Sequence, residues 1–102
     1  MTRGEVWLAE VGRKRRPVLV LTRPEVIDVR ALVTVAEITT SIRGIGAEVA
    51  FDHRAIGLER ESAVNCDGLH TLPQISLAHR VGQLDDTTMR QVCSAVTYAL
   101  GC

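Results

Sequence analysis

Short apolar and β-branched runs of strand length, one of them alternating with a period of two, recur along most of this 102-residue chain, and only the last stretch changes to a helical period. Glu5 to Val11 mixes apolar and acidic residues with strand formers, and Pro17 to Thr22 is a β-branched run of strand length. Between them stand Gly12, Arg13, Lys14, Arg15 and Arg16. A glycine followed by four cations is not core, so it predicts a solvated hairpin loop joining two antiparallel strands. Pro24 ends the second strand, residues 25 to 30 form a charged connection, and Ala31 to Ile38 predicts a buried third strand. Arg43 to Gly46 predicts a turn. Ala47 to Phe51 then predicts a short fourth strand, with Glu48 and Ala50 on one face and Val49 and Phe51 on the other. Ser62 to Cys66 predicts a fifth strand, Asp67-Gly68 a turn, Leu69 to Ile75 an extended piece interrupted by Pro73, and Arg80 to Gln83 a last edge.

The helical period begins where Asp85 or Asp86 supplies an N-cap. Met89, Val92, Cys93, Val96, Ala99 and Leu100 then recur at helical spacing before Gly101, a stripe that predicts packing on the sheet. Several short strands, one terminal helix and no βαβ alternation predict a mainly β fold. The expected architecture is a small, strongly bent antiparallel barrel or half-barrel, forming one domain over residues 1–102.

Composition narrows the function classes. With 46% hydrophobic and 24% charged residues the chain is of ordinary globular type. No apolar run approaches the roughly 20 residues of a membrane span, and Met1 to Glu5 lack the apolar stretch of a signal peptide, so a cytoplasmic protein is expected. Cys66, Cys93 and Cys102 are odd in number and widely spaced, which predicts free thiols. His53, His70 and His79 are scattered and share no metal-ligand spacing with the cysteines.

A formal net charge of zero argues against a protein that grips duplex DNA through many phosphate contacts. The charge is unevenly placed, however: residues 1–30 carry seven basic groups against four acidic ones, and residues 61–102 carry two against four. The N-terminal third is therefore the part suited to a polyanion. Trp7, Phe51 and Tyr98 are too few aromatics for a base-stacking sheet, so Trp7 and Phe51 are expected as core or interface anchors.

Four separated segments carry a resemblance. They are Arg3-Gly4-Glu5-Val6-Trp7, Arg16-Pro17-Val18-Leu19-Val20-Leu21, Ala36-Glu37-Ile38-Thr39-Thr40, and Val64-Asn65-Cys66-Asp67 with Thr71 beyond. In order and spacing the chain is similar to the MazF/PemK toxin family. That resemblance implies an SH3-like small barrel, a homodimer and sequence-specific cleavage of single-stranded RNA. It further implies inhibition by a cognate antitoxin protein whose disordered C-terminal segment wraps the toxin, and no cofactor or metal.

The resemblance also assigns residues. It makes Arg16 catalytic, places Thr39 on the reacting phosphate, and aligns Asp67 with an aspartate that acts as general base in some members. Those members carry an arginine two positions before the aspartate. Here that position is Asn65, whose amide cannot act as a general acid. Either Arg16 supplies charge stabilisation and delivers the proton through water, or Asn65 and Asp67 only read bases. Glu5 matches an acidic position of the family that pairs with a loop arginine or senses substrate. Arg13, Lys14, Arg15, Thr40, Ser41 and His70 complete the expected RNA contacts.

The same residues fit the chemistry considered by itself. Metal-free RNA cleavage uses the 2′-oxygen as nucleophile and needs a base, an acid and donors for the charged phosphorane. A guanidinium set at a strand mouth by Pro17 grips phosphate bidentately, and a threonine hydroxyl holds one oxygen. Two alternatives remain open at this point. One is a CcdB-like DNA gyrase poison, although the short apolar tail Tyr98 to Cys102 suits packing better than docking; the other is an inactive RNA-binding domain of the same fold.

Overall fold

The computed structural model describes all residues, 1–102. Six strands and a helix follow one another as β1 (Glu5–Val11), β2 (Lys14–Val20), a one-turn helix α1 (Pro24–Ile27), β3 (Leu32–Thr39), β4 (Glu48–Ala50), β5 (Ala63–Pro73), β6 (Leu77–Gln83) and α2 (Asp86–Leu100). Short 3₁₀ turns at His53–Ile56 and Gln74–Ser76 flank β5. All pairings are antiparallel, in the order β4-β5-β3-β2-β1-β6. The sheet is bent but not closed, so the expected barrel is barrel-like only: β4 and β6 remain as two separate edges.

Both faces of the central strands are apolar, which is why the sheet must bury both. Even positions of β3 (Ala36, Ile38) join Val6, Leu19, Val64, Cys66, Val92 and Ala95 in the core beneath α2. Odd positions (Val33, Val35) join Ala9, Val18, Val20, Ile27 and Leu77 on the other face. Strand alternation with both faces buried gives the near-continuous valine runs seen in the sequence. Trp7 and Phe51 each pack against one of these cores, as expected for anchors. No helix is long and apolar enough to cross a membrane.

Several boundaries differ from the sequence-based expectation. The cations Lys14, Arg15 and Arg16 are not a loop but the start of β2, paired with Val11, Glu10 and Ala9. Only Gly12 and Arg13 form the turn. Gly12, at φ 66°, takes the first central position, where glycine is favoured in two-residue hairpins. Residues 25 to 27 fold into α1 and bury Ile27. Asp67-Gly68 is not a turn either, since β5 runs continuously from Ala63 to Pro73. The turn before β4 closes from Ile45 to Glu48, and Glu48 accepts the Arg43 and Gly44 N–H groups at 2.8 and 2.9 Å. In α2, Asp85 is the N-cap and accepts from the Thr88 N–H at 2.7 Å. Val92 and Ala95 form its buried stripe, whereas Cys93, Tyr98 and Leu100, expected to pack, are exposed. All three cysteines are free; burial foremost, with Asp67 and Cys93 adding, pushes the Cys66 thiol up to about 11.

Candidate functional site

The pairing of Val18 with Glu37 sets the register of β2 against β3. Two residues beyond that pair, where the ladder has ended, come Arg16 on β2 and Thr39 on β3. Both line one cleft of about 500 Å³, together with Lys14, Pro17, Thr40 and Ser41. The far wall comes from Leu58, Glu59, Arg60 and Ser62, a segment in which the sequence offered no signal beyond its charge. Thr39 Oγ1 accepts the Ser41 N–H at 3.0 Å, which folds the strand end over the cleft and leaves the hydroxyl proton to donate elsewhere. Three cations against one carboxylate, together with the Thr39, Thr40, Ser41 and Ser62 hydroxyls, give the cleft a net positive lining rich in hydrogen-bond donors.

A β-bulge on β5 builds the adjoining part. Glu37 pairs with Asn65, but the next residue of β3, Ala36, pairs with Leu69, so Cys66, Asp67 and Gly68 have no partner on β3. An odd number of inserted residues exchanges the two faces of a strand. His70, paired with Val35, is thereby brought onto the face that carries Glu37. The Asn65 side chain closes the bulge by accepting the Asp67 N–H at 3.1 Å. A Cβ at Gly68 would stand 2.5 Å from Glu37 Oε2 and 3.0 Å from Asn65 Nδ2, so a larger residue would have to displace those two side-chain ends.

The outcome is a diagonal row across three neighbouring strands. Arg16 Nη1 lies 3.4 Å from Glu37 Oε1, and His70 Nε2 lies 3.2 Å from Glu37 Oε2. Glu37 stood inside a segment noted for its resemblance, yet was not singled out, because its place between Arg16 and His70 depends on the register of β2, β3 and β5 together. Asp67 is exposed on the bulge, next in the chain to Gly68, and does not line the cleft.

Other expected contacts lie elsewhere. Arg13 is at the hairpin tip, and Arg15 faces away from Arg16, beside Leu8, Glu10 and Ile75. Glu5 is engaged within the fold: Arg80 donates to it at 2.7 Å, the Thr2 N–H at 2.7 Å and Trp7 Nε1–H at 3.2 Å. Burial pulls its carboxyl upward, but those donors outweigh it and hold the group below the usual carboxylate range. His53 caps its own turn through Nδ1 and the Leu58 carbonyl at 2.7 Å.

Comparison with known proteins decides the family. A family model for the PemK-like, MazF-like toxins of type II toxin-antitoxin systems matches residues 2–100. The chain belongs to that family. It is 41% identical over 103 residues to the probable endoribonuclease MazF5 of Mycobacterium tuberculosis, covering 98% of this chain and 93% of the relative. Among solved structures it is similar to the Mycobacterium tuberculosis toxin MazF-mt6, with a TM-score of 0.87 at 37% identity over 95% of this chain and 96% of that one. It is also similar to a mycobacterial endoribonuclease in complex with its cognate antitoxin, with a TM-score of 0.86 at 27% identity over 99% and 95% of the two chains. Two of these three relatives bear endoribonuclease names, so the gyrase-poison alternative is not favoured.

Proposed function

We propose that this MazF-like chain is the toxin of a type II toxin-antitoxin pair. It is a cytoplasmic homodimer that cuts single-stranded RNA, mRNA foremost, at specific sequences without a metal. One observation carries the reading: Arg16 and Thr39, from neighbouring strands, line the same cleft together with further cations and hydroxyls. A phosphodiester seated there is gripped by the Arg16 guanidinium and held through one oxygen by the Thr39 hydroxyl. Charge that builds on the phosphorane then meets donors already in place. The 2′-oxygen attacks phosphorus and the 5′-oxygen leaves, giving a 2′,3′-cyclic phosphate and a free 5′-hydroxyl; Asp67, on the bulge outside the cleft, takes the 2′ proton when the RNA lies across both. Lys14, Thr40, Ser41 and Arg60 extend the track along the backbone, while Asn65 shapes the bulge that presents Asp67. A cognate antitoxin, of the kind named for the mycobacterial relative, would silence the enzyme by laying an acidic, disordered tail along this basic cleft.

The test is incubation of the purified protein with a long single-stranded RNA in EDTA, beside Arg16→Ala, with cut positions and end groups mapped. Discrete cuts by the wild type alone, ending in 2′,3′-cyclic phosphate, are expected. Intact RNA with the folded wild-type protein would refute the ribonuclease reading.

A further inference from the structure

Resting on that ribonuclease reading, the geometry points to His70 as the general acid that protonates the leaving 5′-oxygen, with Glu37 as the positioning carboxylate that aims it. The reaction needs a proton donor, and the obvious position does not supply one. Asn65 carries an amide, and the Arg16 guanidinium holds its protons permanently at any working pH. Of the side chains in the diagonal row, only an imidazole exchanges a proton readily near neutral pH.

Placement supports the role. The His70 Nε2 atom is buried and has Glu37 Oε2 at 3.2 Å, in the geometry of an ion pair rather than of an aligned hydrogen bond. The side chain as a whole is 35% exposed, so part of the ring is open to substrate. A carboxylate held against one ring nitrogen fixes the orientation of an imidazole. The other oxygen of the same carboxylate lies 3.4 Å from Arg16 Nη1, so a single side chain sets both the phosphate grip and the acid. Gly68 keeps the space above that carboxylate clear. Neither other histidine is placed this way: His53 is used by its own turn, and His79 lies on edge strand β6.

The step balances as follows. The 2′-oxygen forms its bond to phosphorus as its proton goes to Asp67. The bond from phosphorus to the 5′-oxygen breaks, its electron pair stays on that oxygen, and the oxygen takes the proton from His70. The imidazole is reprotonated from water before the next turnover. The charged groups facing His70 are Glu37 from β3 and, through Glu37, Arg16 from β2; Asp67 lies on its own strand.

A leaving-group substitution tests the assignment. An RNA oligonucleotide containing one site mapped for the wild type is made with its ordinary phosphodiester and, separately, with sulfur in place of the bridging 5′-oxygen, a leaving group that departs without protonation. Wild type, His70→Gln, Glu37→Gln and Arg16→Ala are compared at saturating enzyme, with melting curves to confirm folding. His70→Gln is expected to cut the ordinary substrate about 10² to 10⁴ times more slowly and the sulfur substrate within about tenfold of wild type. Arg16→Ala should be slow on both. Glu37→Gln should slow the ordinary substrate more than the sulfur substrate, as expected of a residue that acts through the acid; a merely structural carboxylate would slow both alike. Equal rates for His70→Gln and wild type on ordinary RNA, or a loss of the same size on both substrates, would overturn the proposal while leaving the ribonuclease reading intact. A folded wild type that cuts neither substrate would overturn both.

Discussion

At Gly82 a side chain would have no room. An added Cβ would stand 2.7 Å from Ile56 Cβ, 2.9 Å from Cγ2 and 3.4 Å from Cα, so the obstruction is the rigid root of a buried residue rather than a flexible tip. Gly82→Ala is therefore expected to lower stability by about 1 to 3 kcal/mol through overpacking, seen as a fall in the urea midpoint with the slope of the transition unchanged. Glu5 answers a different question, because its effect depends on pH. Its carboxyl titrates below the ordinary value of 4.5 in the folded protein, since the donors from Arg80, Thr2 and Trp7 outweigh burial. A carboxyl depressed in this way adds stability that is fully present above its unfolded pKa and lost as pH falls through its folded pKa. Glu5→Gln should therefore melt earlier at pH 7, by roughly 1 kcal/mol for the weakened charged hydrogen bonds. The gap to wild type should close as pH drops below 4.5. A gap that stays constant down to the acid transition would mean that Glu5 packs rather than pairs.

Among the elements, the bulge in β5 couples fold to site most directly, and Gly68 isolates that coupling. Its φ is not positive, so alanine is conformationally allowed, and the atoms an added methyl would meet are the flexible ends of Glu37 and Asn65. Gly68→Ala should change stability by less than about 1 kcal/mol yet slow RNA cleavage at least about tenfold, as Glu37 is pushed off Arg16 and His70. Unaltered cleavage would show that the row does not bear on the reaction. The same bulge shows why some of the fold was legible in the sequence and some was not. Apolar runs of strand length and helix caps are local signals, and β1, β3, β4 and α2 follow them to within a residue or two at most ends. The cation run was misleading because the β1–β2 hairpin projects beyond the core at that end: Lys14 and Arg15 are exposed, and composition no longer separates strand from loop. Asp67-Gly68 has the composition of a turn, but pairing with β3 on both sides of it absorbs the extra residues as a bulge. Arg16 and Thr39 were visible as strand-end residues flanking proline and a polar run, whereas Glu37 and Arg60 acquire meaning only through contacts between distant segments.

For the molecule as a whole, zero net charge and RNA binding are compatible because the cations are placed rather than numerous. Lys14, Arg16 and Arg60 converge on one cleft, while Arg43 and Arg80 pair with Glu48 and Glu5. Single-strand binding releases about 0.7 counterion per neutralised phosphate, so three contacts give a slope of log affinity on log salt of roughly −2. Measured by fluorescence anisotropy from about 50 to 200 mM salt, on an RNA carrying a 2′-deoxy residue at the cut site so that it cannot be cleaved, affinity should fall only about 16-fold. Lys14→Ala should weaken binding by a similar factor on every sequence and flatten the slope by about 0.7, the signature of a backbone contact that reads no base. A slope near −7 would require about ten phosphate contacts. The basic groups lining this cleft cannot supply that number, and such a result would move the binding track to another face of the molecule or across more than one copy of the chain.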